Sequence, residues 1–345
     1  MPPNFQHMDF SKQSVACQQF FLSIIIFYVI IFRYGGLAQL VRASASHAEG
    51  QRFEPAALHF LIMKKEKLQF ITSMIIYGTI GLFRKMIPLS SSMLAFLRAF
   101  IGMLFLLSFV ISSKKKISAD AIARNRKILL ISGAILGFNW ILLFEAYNYT
   151  TVATATLCYY MAPVLMLLIS HFVYKEKIGA KKWVCIAVSL VGMALVTGNV
   201  AGGLKGTKGV ILGLLAAVLY AAIVMNNRRL KDISPVDQTI VQLAVSSAVL
   251  LPYILIREGF GATDWSLKCI LLVLVVGIVH TGFAYLLYFG TIVTLPTNFV
   301  AIGSYIDPAV AVVLSALILK EPMTPLNALG AVLIIASLIV SEFTN

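Results

Sequence analysis

Two stretches of this 345-residue sequence share one pattern and decide the fold. They are GFNWILLFEAYNYTTVATATLCYYMAPVLMLLISHFVYKEKI at 137–178 and GFAYLLYFGTIVTLPTNFVAIGSYIDPAVAVVLSALILKEPM at 282–323. Matches of Leu or Phe between two apolar stretches carry little weight. The aligned identities that are rare inside or beside a membrane span are the pairs Pro163/Pro308, Lys175/Lys320 and Glu176/Glu321. These pairs indicate an internal duplication.

The composition around the two stretches excludes an ordinary soluble protein. Hydrophobic residues make up 59% of the chain and charged residues 12%, whereas about a quarter of a typical soluble domain is charged. The mean hydropathy is +0.90. The net charge of +14 does not indicate a nucleic-acid partner, because the cations lie in short clusters between apolar runs and form no basic face with interleaved aromatic residues. The sequence predicts an all-α polytopic membrane protein.

Apolar runs alternate with short polar breaks from Met63 onward, and each run has roughly the 20 residues that a membrane helix needs. Ten transmembrane helices are predicted, at 68–86, 89–111, 128–147, 151–173, 181–198, 208–226, 237–256, 267–289, 294–319 and 325–341. They fall into two five-helix repeats, at 63–199 and 206–341. Because five is odd, the second repeat must enter the membrane inverted relative to the first, as in alternating-access transporters.

The distribution of Lys and Arg predicts the orientation. With the N-terminus inside, 16 of these cations lie in cytoplasmic segments and 7 in outer segments. An excess of cations marks the cytoplasmic side. We therefore expect a multi-pass protein of the plasma membrane with both termini in the cytoplasm.

Residues 1–62 differ from the rest of the chain. Their apolar run, Phe20–Phe32, is short for a span. Residues 36–55 resemble a translated tRNA gene, because Gly36–Ala43 back-translates to the D-arm consensus and Arg52–Pro55 to that of the T-arm. The interpretation is a spurious N-terminal extension, with Met63 as the true start. The alternative is an eleventh hydrophobic anchor.

The ten spans, the duplication, a proline in the fourth and ninth spans and the Lys-Glu pair that ends them resemble the EamA-type transporters of the drug/metabolite transporter superfamily. The resemblance covers about residues 66–341. It implies transport of a small organic solute such as an amino acid, a metabolite or a drug, and it does not identify the cargo. In such proteins the first, third, fourth, sixth, eighth and ninth helices line the cavity.

Ionisable side chains within membrane spans are costly and are candidates for function. Arg98, Glu145, His280 and Asp307 are the four that stand out. Asp307 is the strongest candidate for substrate binding, because Pro308 removes a backbone donor and frees a carbonyl beside it. His280 is a candidate proton relay. For Arg98 and Glu145 a structural role is as good an interpretation as a functional one. Arg98 could be a structural clamp, and Glu145 could reach the outer interface.

Aromatic and amide side chains supply the remaining candidates. The predicted substrate-binding set is Tyr77, Asn139, Trp140, Tyr160, His280, Tyr285, Tyr305 and Asp307. The predicted structural or gating set is Arg98, Glu145, Pro163, Glu176, Pro308 and Glu321. Tyr160 and Tyr305 each stand three residues before the repeat proline, so the duplication predicts equivalent positions facing the cavity.

The leading functional hypothesis is a secondary active transporter, and an exporter, of an amino acid or metabolite, with no cofactor and no metal. No ATP-binding GxxxxGK[ST] motif and no HExxH or GxSxG motif occurs in the sequence. The alternatives are an exporter of lipophilic cations, a channel or scaffold, and an intramembrane enzyme that uses Glu145, His280 and Asp307. The coupling ion and the oligomeric state stay open, with a proton and a homodimer as the candidates.

Overall fold

The computed structural model describes the backbone of residues 55–175, 177–198, 204–258, 265–292 and 294–343, and this part of the chain is helical. The proposed spurious extension therefore lies almost entirely outside the described residues. The helices are α1 (Pro55–Gly78), α2 (Ile80–Met86), α3 (Ser91–Ser112), α4 (Ala119–Tyr149), α5 (Val152–Tyr159), α6 (Ala162–Tyr174), α7 (Ala180–Gly198), α8 (Leu204–Asn227), α9 (Pro235–Arg257), α10 (Leu267–Val275), a π-helix (Val276–Phe283), α11 (Ala284–Thr291), α12 (Thr297–Gly303), α13 (Ile306–Leu317) and α14 (Pro325–Phe343).

Side-chain caps fix where several helices begin. A Ser or Thr hydroxyl accepts a hydrogen bond from the backbone N–H three residues later, which satisfies a donor that the first turn of a helix leaves unpaired. The capping residues are Ser90, Ser118, Thr151, Ser234 and Ser266, before α3, α4, α5, α9 and α10 respectively. The polar breaks in the sequence are therefore helix starts as well as loops.

Eight helices in the described part of the chain are long and apolar enough to cross a membrane. They correspond to eight of the ten predicted spans, where the α5–α6 pair and the α10–α11 stretch each count as one. The other two predicted spans, 68–86 and 294–319, are broken into α1–α2 and α12–α13. The fold class is thus confirmed as all-helical and multi-span, and the count of ten is not established by helix length alone.

Proline explains two of the helix breaks. A proline has no N–H and clashes with the carbonyl four residues earlier. The break between α5 and α6 falls at Tyr160 and Met161, just before Pro163, and the break between α12 and α13 falls at Ser304 and Tyr305, before Pro308. The duplication seen in the sequence is therefore a duplicated break in the backbone.

The C-terminal ends of the same two segments are also alike. Lys175 and Lys320 both adopt a left-handed backbone conformation, with φ of 57° and 51°. After each helix the backbone folds back and bonds to an equivalent serine. The Lys175 N–H donates to the Ser170 carbonyl, and the Glu321 N–H donates to the Ser315 carbonyl. The Lys-Glu pair thus marks a helix end, as its position in the sequence predicts. Glu176 itself lies outside the described residues.

The π-helix interrupts the eighth predicted span. In it the Thr281 hydroxyl donates to the Val276 carbonyl, five residues earlier, at 3.1 Å. Gly277 and Gly282 let this segment approach α3, because a Cβ added to either would lie within 2.5 Å of Ile101 or Phe105. Short π-helical segments are frequent at functional sites, and this one brings the neighbouring residues His280 and Thr281 against other helices.

Close glycine contacts hold the helices together elsewhere. A Cβ added to Gly192 in α7 would lie 2.8 Å from the Gly330 carbonyl oxygen in α14, and one added to Gly330 would lie 2.5 Å from the Gly192 oxygen. The same two helices share a hydrogen bond of 2.6 Å between the hydroxyls of Ser189 and Ser337. Small residues allow this approach between helices in a membrane, and here they join the two halves of the duplication.

Candidate functional site

Three helix breaks meet at Asp307. This residue lies in the first turn of α13, just after the second proline-associated break. The Tyr160 hydroxyl, at the first such break, donates to Asp307 Oδ2 at 2.5 Å. Gly78, at the junction of α1 and α2, packs so closely that an added Cβ would lie 2.6 Å from the Asp307 carbonyl oxygen. The carboxylate therefore stands where interrupted helices leave polar backbone groups inside the protein.

Arg98 is the second charged residue at this depth. Its side chain in α3 is buried, and the guanidinium carbon lies 3.9 Å from the centre of the Trp140 ring in α4. The Nε donates to the Thr281 hydroxyl of the π-helix at 3.1 Å. Among the described residues, Thr281 is the one hydrogen-bond partner of the guanidinium group. The stack on Trp140 and the bond to Thr281 fix the orientation of the planar group.

Six tyrosines lie around these two charges and are called the tyrosine cluster: Tyr77, Tyr159, Tyr160, Tyr220, Tyr285 and Tyr288. They form two sets of ring contacts. In one set Tyr77 has its ring centre 5.8 Å from Tyr285 and 6.4 Å from Tyr288. In the other set Tyr159 lies 6.1 Å from Tyr160 and 5.3 Å from Tyr220. Tyr285 is within electrostatic range of Tyr159 and Tyr220, so the two sets face each other.

Tyr220 is the most exposed member of the tyrosine cluster. Its side chain keeps 38% of its surface exposed, although it lies within electrostatic range of Asp307, Tyr285 and Tyr288 on other helices. The hydroxyl of Tyr77 is buried and has no hydrogen-bond partner among the described residues. Buried hydroxyls are normally paired, so this group is available to a ligand or a water molecule.

Four predicted substrate-binding residues lie in or beside this cluster, namely Tyr77, Tyr160, Tyr285 and Asp307, and Trp140 adjoins it through Arg98. Asn139 lies on the far side of α4, where its Nδ2 donates to the Ala216 carbonyl of α8 at 2.6 Å. Its Oδ1 is buried with no partner among the described residues. The structure places Asn139 at the contact between α4 and α8, bonded to a residue one turn before Tyr220.

His280 lies within electrostatic range of Arg98, but its hydrogen bonds and its ring contact are to residues outside the tyrosine cluster. Its Nε2 is 2.7 Å from the Thr79 hydroxyl, at the junction of α1 and α2. Its ring packs edge-on against Phe83 at 4.6 Å. The π-helix turns His280 toward α2, so its visible role is to hold the broken first span against the eighth.

Tyr305 differs from its repeat partner Tyr160. It is 6% exposed and lies in an apolar cluster with Leu157, Met161 and Ile334. Tyr160 also packs against this cluster, but its hydroxyl donates to Asp307, so the equivalence that the duplication predicts is only partial. The reason is visible in the alignment, since Asp307, which binds Tyr160, has Ala162 as its counterpart.

The predicted gating residues Glu145 and Glu321 belong to a polar network at one end of the helices. This end network comprises Arg84, Lys85, Ser91, Glu145, Asn148, Ser315 and Glu321. Glu145 accepts hydrogen bonds from the Ser91 hydroxyl at 2.7 Å and from the Asn148 amide at 3.1 Å. Arg84 donates to both of these neighbours and to the Ile87 carbonyl.

Glu321 connects the two halves of the chain in this network. Its carboxylate lies 3.1 Å from Lys85 Nζ and accepts from the Val152 N–H at 2.6 Å and the Ser315 hydroxyl at 2.5 Å. Val152 is the first residue of α5, and a carboxylate at a helix N-terminus is favoured by the helix dipole. Beside the network, Ser90 and Ser92 both donate to Glu258, which follows α9. This end of the described helices is therefore held shut by ionic and hydrogen-bonded contacts.

Sequence reasoning missed Tyr288, Thr281 and Lys85. Tyr288 stands three residues after Tyr285 in YLLY, which is the spacing of one helix face and was a usable signal. Lys85 carries no signal of its role, because its partner Glu321 is far away in the sequence. Thr281 had no signal, because a π-helix does not follow the regular apolar period.

The family and the relatives that match this chain agree with this architecture. The EamA-like transporter family matches the chain twice, over residues 65–198 and 207–343. The chain is 33% identical over 276 residues to YxxF, an uncharacterized transporter of Bacillus subtilis (strain 168), covering 79% of this chain and 87% of the relative. An uncharacterized transporter of Archaeoglobus fulgidus is 25% identical over 286 residues, covering 82% of this chain and 98% of the relative.

Two further similarities bear on function and fold. A probable amino-acid metabolite efflux pump of Salmonella typhimurium is 28% identical over 183 residues, which cover 50% of this chain and 61% of the pump. A crystal structure superposes with a TM-score of 0.59 at 16% identity, over 80% of this chain and 96% of that one, and shares the fold. On the strength of the two matched regions, this chain belongs to the EamA-like transporter family.

Proposed function

We propose that this protein is a secondary active transporter that exports a small organic solute, an amino acid or a related metabolite, by alternating access. The observation that carries the proposal is the tyrosine cluster with Arg98 and Asp307, which draws on helices from both matched regions. Substrate sites of transporters with inverted repeats lie where the repeats meet, beside broken helices. The breaks at Tyr160 and Tyr305 are of this kind.

The proposed architecture is ten spans in two inverted five-helix repeats, at 63–199 and 206–341, with both termini in the cytoplasm. The broken segments α1–α2 and α12–α13 supply the two spans that helix length alone does not. Because α7 and α14 contact each other through Gly192 and Gly330, the fifth and tenth spans pack together across the repeats. The spurious extension at 1–62 is proposed from the sequence, and the oligomeric state stays open, with a homodimer as the candidate.

Export is proposed as the direction because the Salmonella typhimurium relative carries the name of an efflux pump. The closed end network supports alternating access, since its bonds between Lys85 and Glu321 must break when that end opens. The Glu321 carboxylate accepts a hydrogen bond from Val152 at the start of α5. It therefore links this closure to the segment that carries Tyr159 and Tyr160.

A lipophilic cation is the second candidate substrate. A carboxylate beside tyrosine faces attracts organic cations, and Asp307 with Tyr160 meets that description. An enzyme is disfavoured by geometry. Glu145 is bonded within the end network and His280 is bonded to Thr79, so neither joins Asp307 in one acid–base site.

Untargeted metabolite profiling tests the proposal. Cells that overexpress the full chain are compared with cells that express the Asp307→Asn variant at the same level. We expect a solute that falls in the cytoplasm and rises in the medium with the unaltered protein, and changes much less with the variant. Saturable, gradient-driven flux of that solute in proteoliposomes confirms the transporter, whereas linear flux indicates a channel. Identical metabolite profiles in the two strains contradict the proposal.

A further inference from the structure

The two charges of the site are close to the same tyrosines but are not paired with each other. Within the described residues the ion pairs are Lys85–Glu321 and Arg124–Asp232, and neither includes Arg98 or Asp307. Both charges nevertheless lie within electrostatic range of Tyr77, Tyr147 and Tyr159. The same tyrosines therefore lie close to both a cation and an anion that are not paired with each other.

Each charge also keeps unused hydrogen-bonding capacity. Arg98 uses Nε for Thr281 and its ring-facing side for Trp140, so the terminal nitrogens have no bond to a described residue. Asp307 uses Oδ2 for Tyr160, and its Oδ1 accepts no bond from the described residues. Isolated charges in a low-dielectric interior are costly unless paired. A ligand that brings both an anionic and a cationic group relieves both costs at once.

We infer that the site binds the zwitterion of an amino acid, with Arg98 holding the carboxylate and Asp307 the ammonium group. The planar guanidinium fork suits a carboxylate, which it can bind with two parallel hydrogen bonds. The carboxylate of Asp307, held by Tyr160, suits an ammonium group. The rings of Tyr77, Tyr285 and Tyr159 then contact an apolar or aromatic side chain of the amino acid.

This inference rests on the proposed transport function and changes the role of one residue. Arg98 is expected from the sequence to be structural or gating, whereas here it contacts the substrate. The inference also separates the two candidate cargoes. A lipophilic cation has no carboxylate, so it leaves Arg98 unpaired and adds a second positive charge to the site.

The test compares three probes that differ only in their charged groups: L-phenylalanine, phenethylamine, which lacks the carboxylate, and 3-phenylpropionate, which lacks the ammonium group. The full chain is reconstituted in proteoliposomes, and each unlabelled probe competes with counterflow of labelled L-phenylalanine. Since a hydrogen bond to a charged group contributes about 1.5–3 kcal/mol, we expect each lesser probe to compete about 10- to 100-fold more weakly. Equal competition by the amine or the acid overturns the inference.

Two variants test which residue binds the carboxylate and which binds the ammonium group. In Arg98→Gln, L-phenylalanine should lose its advantage over phenethylamine and keep its advantage over 3-phenylpropionate. In Asp307→Asn the reverse is expected. The matched control is Arg124→Gln with Asp232→Asn, which removes the same charges from an exposed pair and should leave both ratios unchanged. A uniform loss for all three probes in Arg98→Gln indicates a structural role and overturns its assignment.

The wild-type comparison needs no variant, so it stays decisive if a substitution prevents folding. If no L-phenylalanine counterflow is seen, a panel of labelled amino acids follows. Failure with the whole panel, together with export of another solute in metabolite profiling, rejects the zwitterion site and leaves the transport proposal intact. Failure in both experiments rejects the transport proposal itself.

Discussion

The end network and the tyrosine cluster are both polar regions within apolar helices, and they differ in how fully their groups are paired. In the end network Glu321 has three partners within 3.1 Å, and Glu145 has two. In the cluster Arg98 and Asp307 have one hydrogen bond each to described residues. The Arg84 Nε of the end network is buried with no partner among the described residues, but the two carboxylates are each held by several bonds. Such pairing stabilises one conformation, whereas incomplete pairing leaves room for a ligand. We therefore propose closure as the role of the first region and substrate binding as the role of the second.

The largest effect is expected from Gly78→Val, which fills the contact between the first helix break and Asp307. The new side chain would collide with the Asp307 carbonyl oxygen and with Val310. Such overpacking costs about 1–3 kcal/mol or more and displaces backbone, so we expect transport to be lost. Counterflow in proteoliposomes measures it, with protein folding checked by size-exclusion chromatography.

Gly290→Ala is the matched control for this substitution, because a Cβ at Gly290 meets nothing within 4 Å. Transport by this variant should equal that of the unaltered protein. Normal transport by Gly78→Val would show that the close approach at Asp307 is not needed, and would weaken the placement of the site at the helix breaks.

The second effect concerns proton coupling. Asp307 is bonded to Tyr160 of the tyrosine cluster, whereas His280 is held by Thr79 and Phe83. If protons drive export, Asp307→Asn should abolish the dependence of transport on an imposed pH gradient, because an amide cannot bind and release a proton. His280→Gln should keep that dependence, with a lower rate from the altered helix contact.

The readout is initial flux at several pH gradients, with the same variants assayed at equal pH on both sides. A dependence that persists in Asp307→Asn and disappears in His280→Gln would reverse the two roles. It would place proton transfer at the junction of α1 and α2.

The sequence predicts the helices well and the neighbours of individual side chains less well. Pro163 and Pro308 mark the breaks, and the Lys-Glu pair marks the helix ends, because both act on the local backbone. The difference between Tyr160 and Tyr305 depends on tertiary partners, and the alignment of repeats treats them as equal. His280 and Thr281 depend on a π-helix, whose extra residue per turn leaves no regular pattern in an apolar segment.

The third prediction tests that difference within the repeat. Tyr160→Phe removes the hydroxyl that donates to Asp307 at 2.5 Å. A hydrogen bond to a charged group contributes about 1.5–3 kcal/mol, so transport efficiency should fall roughly 10-fold or more. Tyr305→Phe removes a hydroxyl from a residue in the apolar cluster and should change transport less than about twofold. Equal losses in the two variants would restore the equivalence that the duplication predicts.

The smallest effect is expected at the end network. Lys85→Met removes one partner of Glu321 and leaves the bonds from Val152 and Ser315. The ion pair is partly exposed, with 31% of the Lys85 side chain and 14% of the Glu321 side chain accessible, so its contribution is about 0.5–1 kcal/mol. The open state at this end should therefore become about two- to fivefold more populated.

This shift can be measured at a cysteine introduced in place of Ala153, which is 5% exposed and lies beneath the end network. The readout is the rate at which a membrane-impermeant maleimide labels that cysteine. In a background without the native cysteines, Lys85→Met should raise the labelling rate by the same two- to fivefold. The control is Arg124→Gln, which breaks the exposed pair with Asp232 and should leave the rate unchanged. An unchanged rate in Lys85→Met would mean that Glu321 holds this end shut through α5 alone, and that closure depends on the helix N-terminus and not on the ion pair between the two halves.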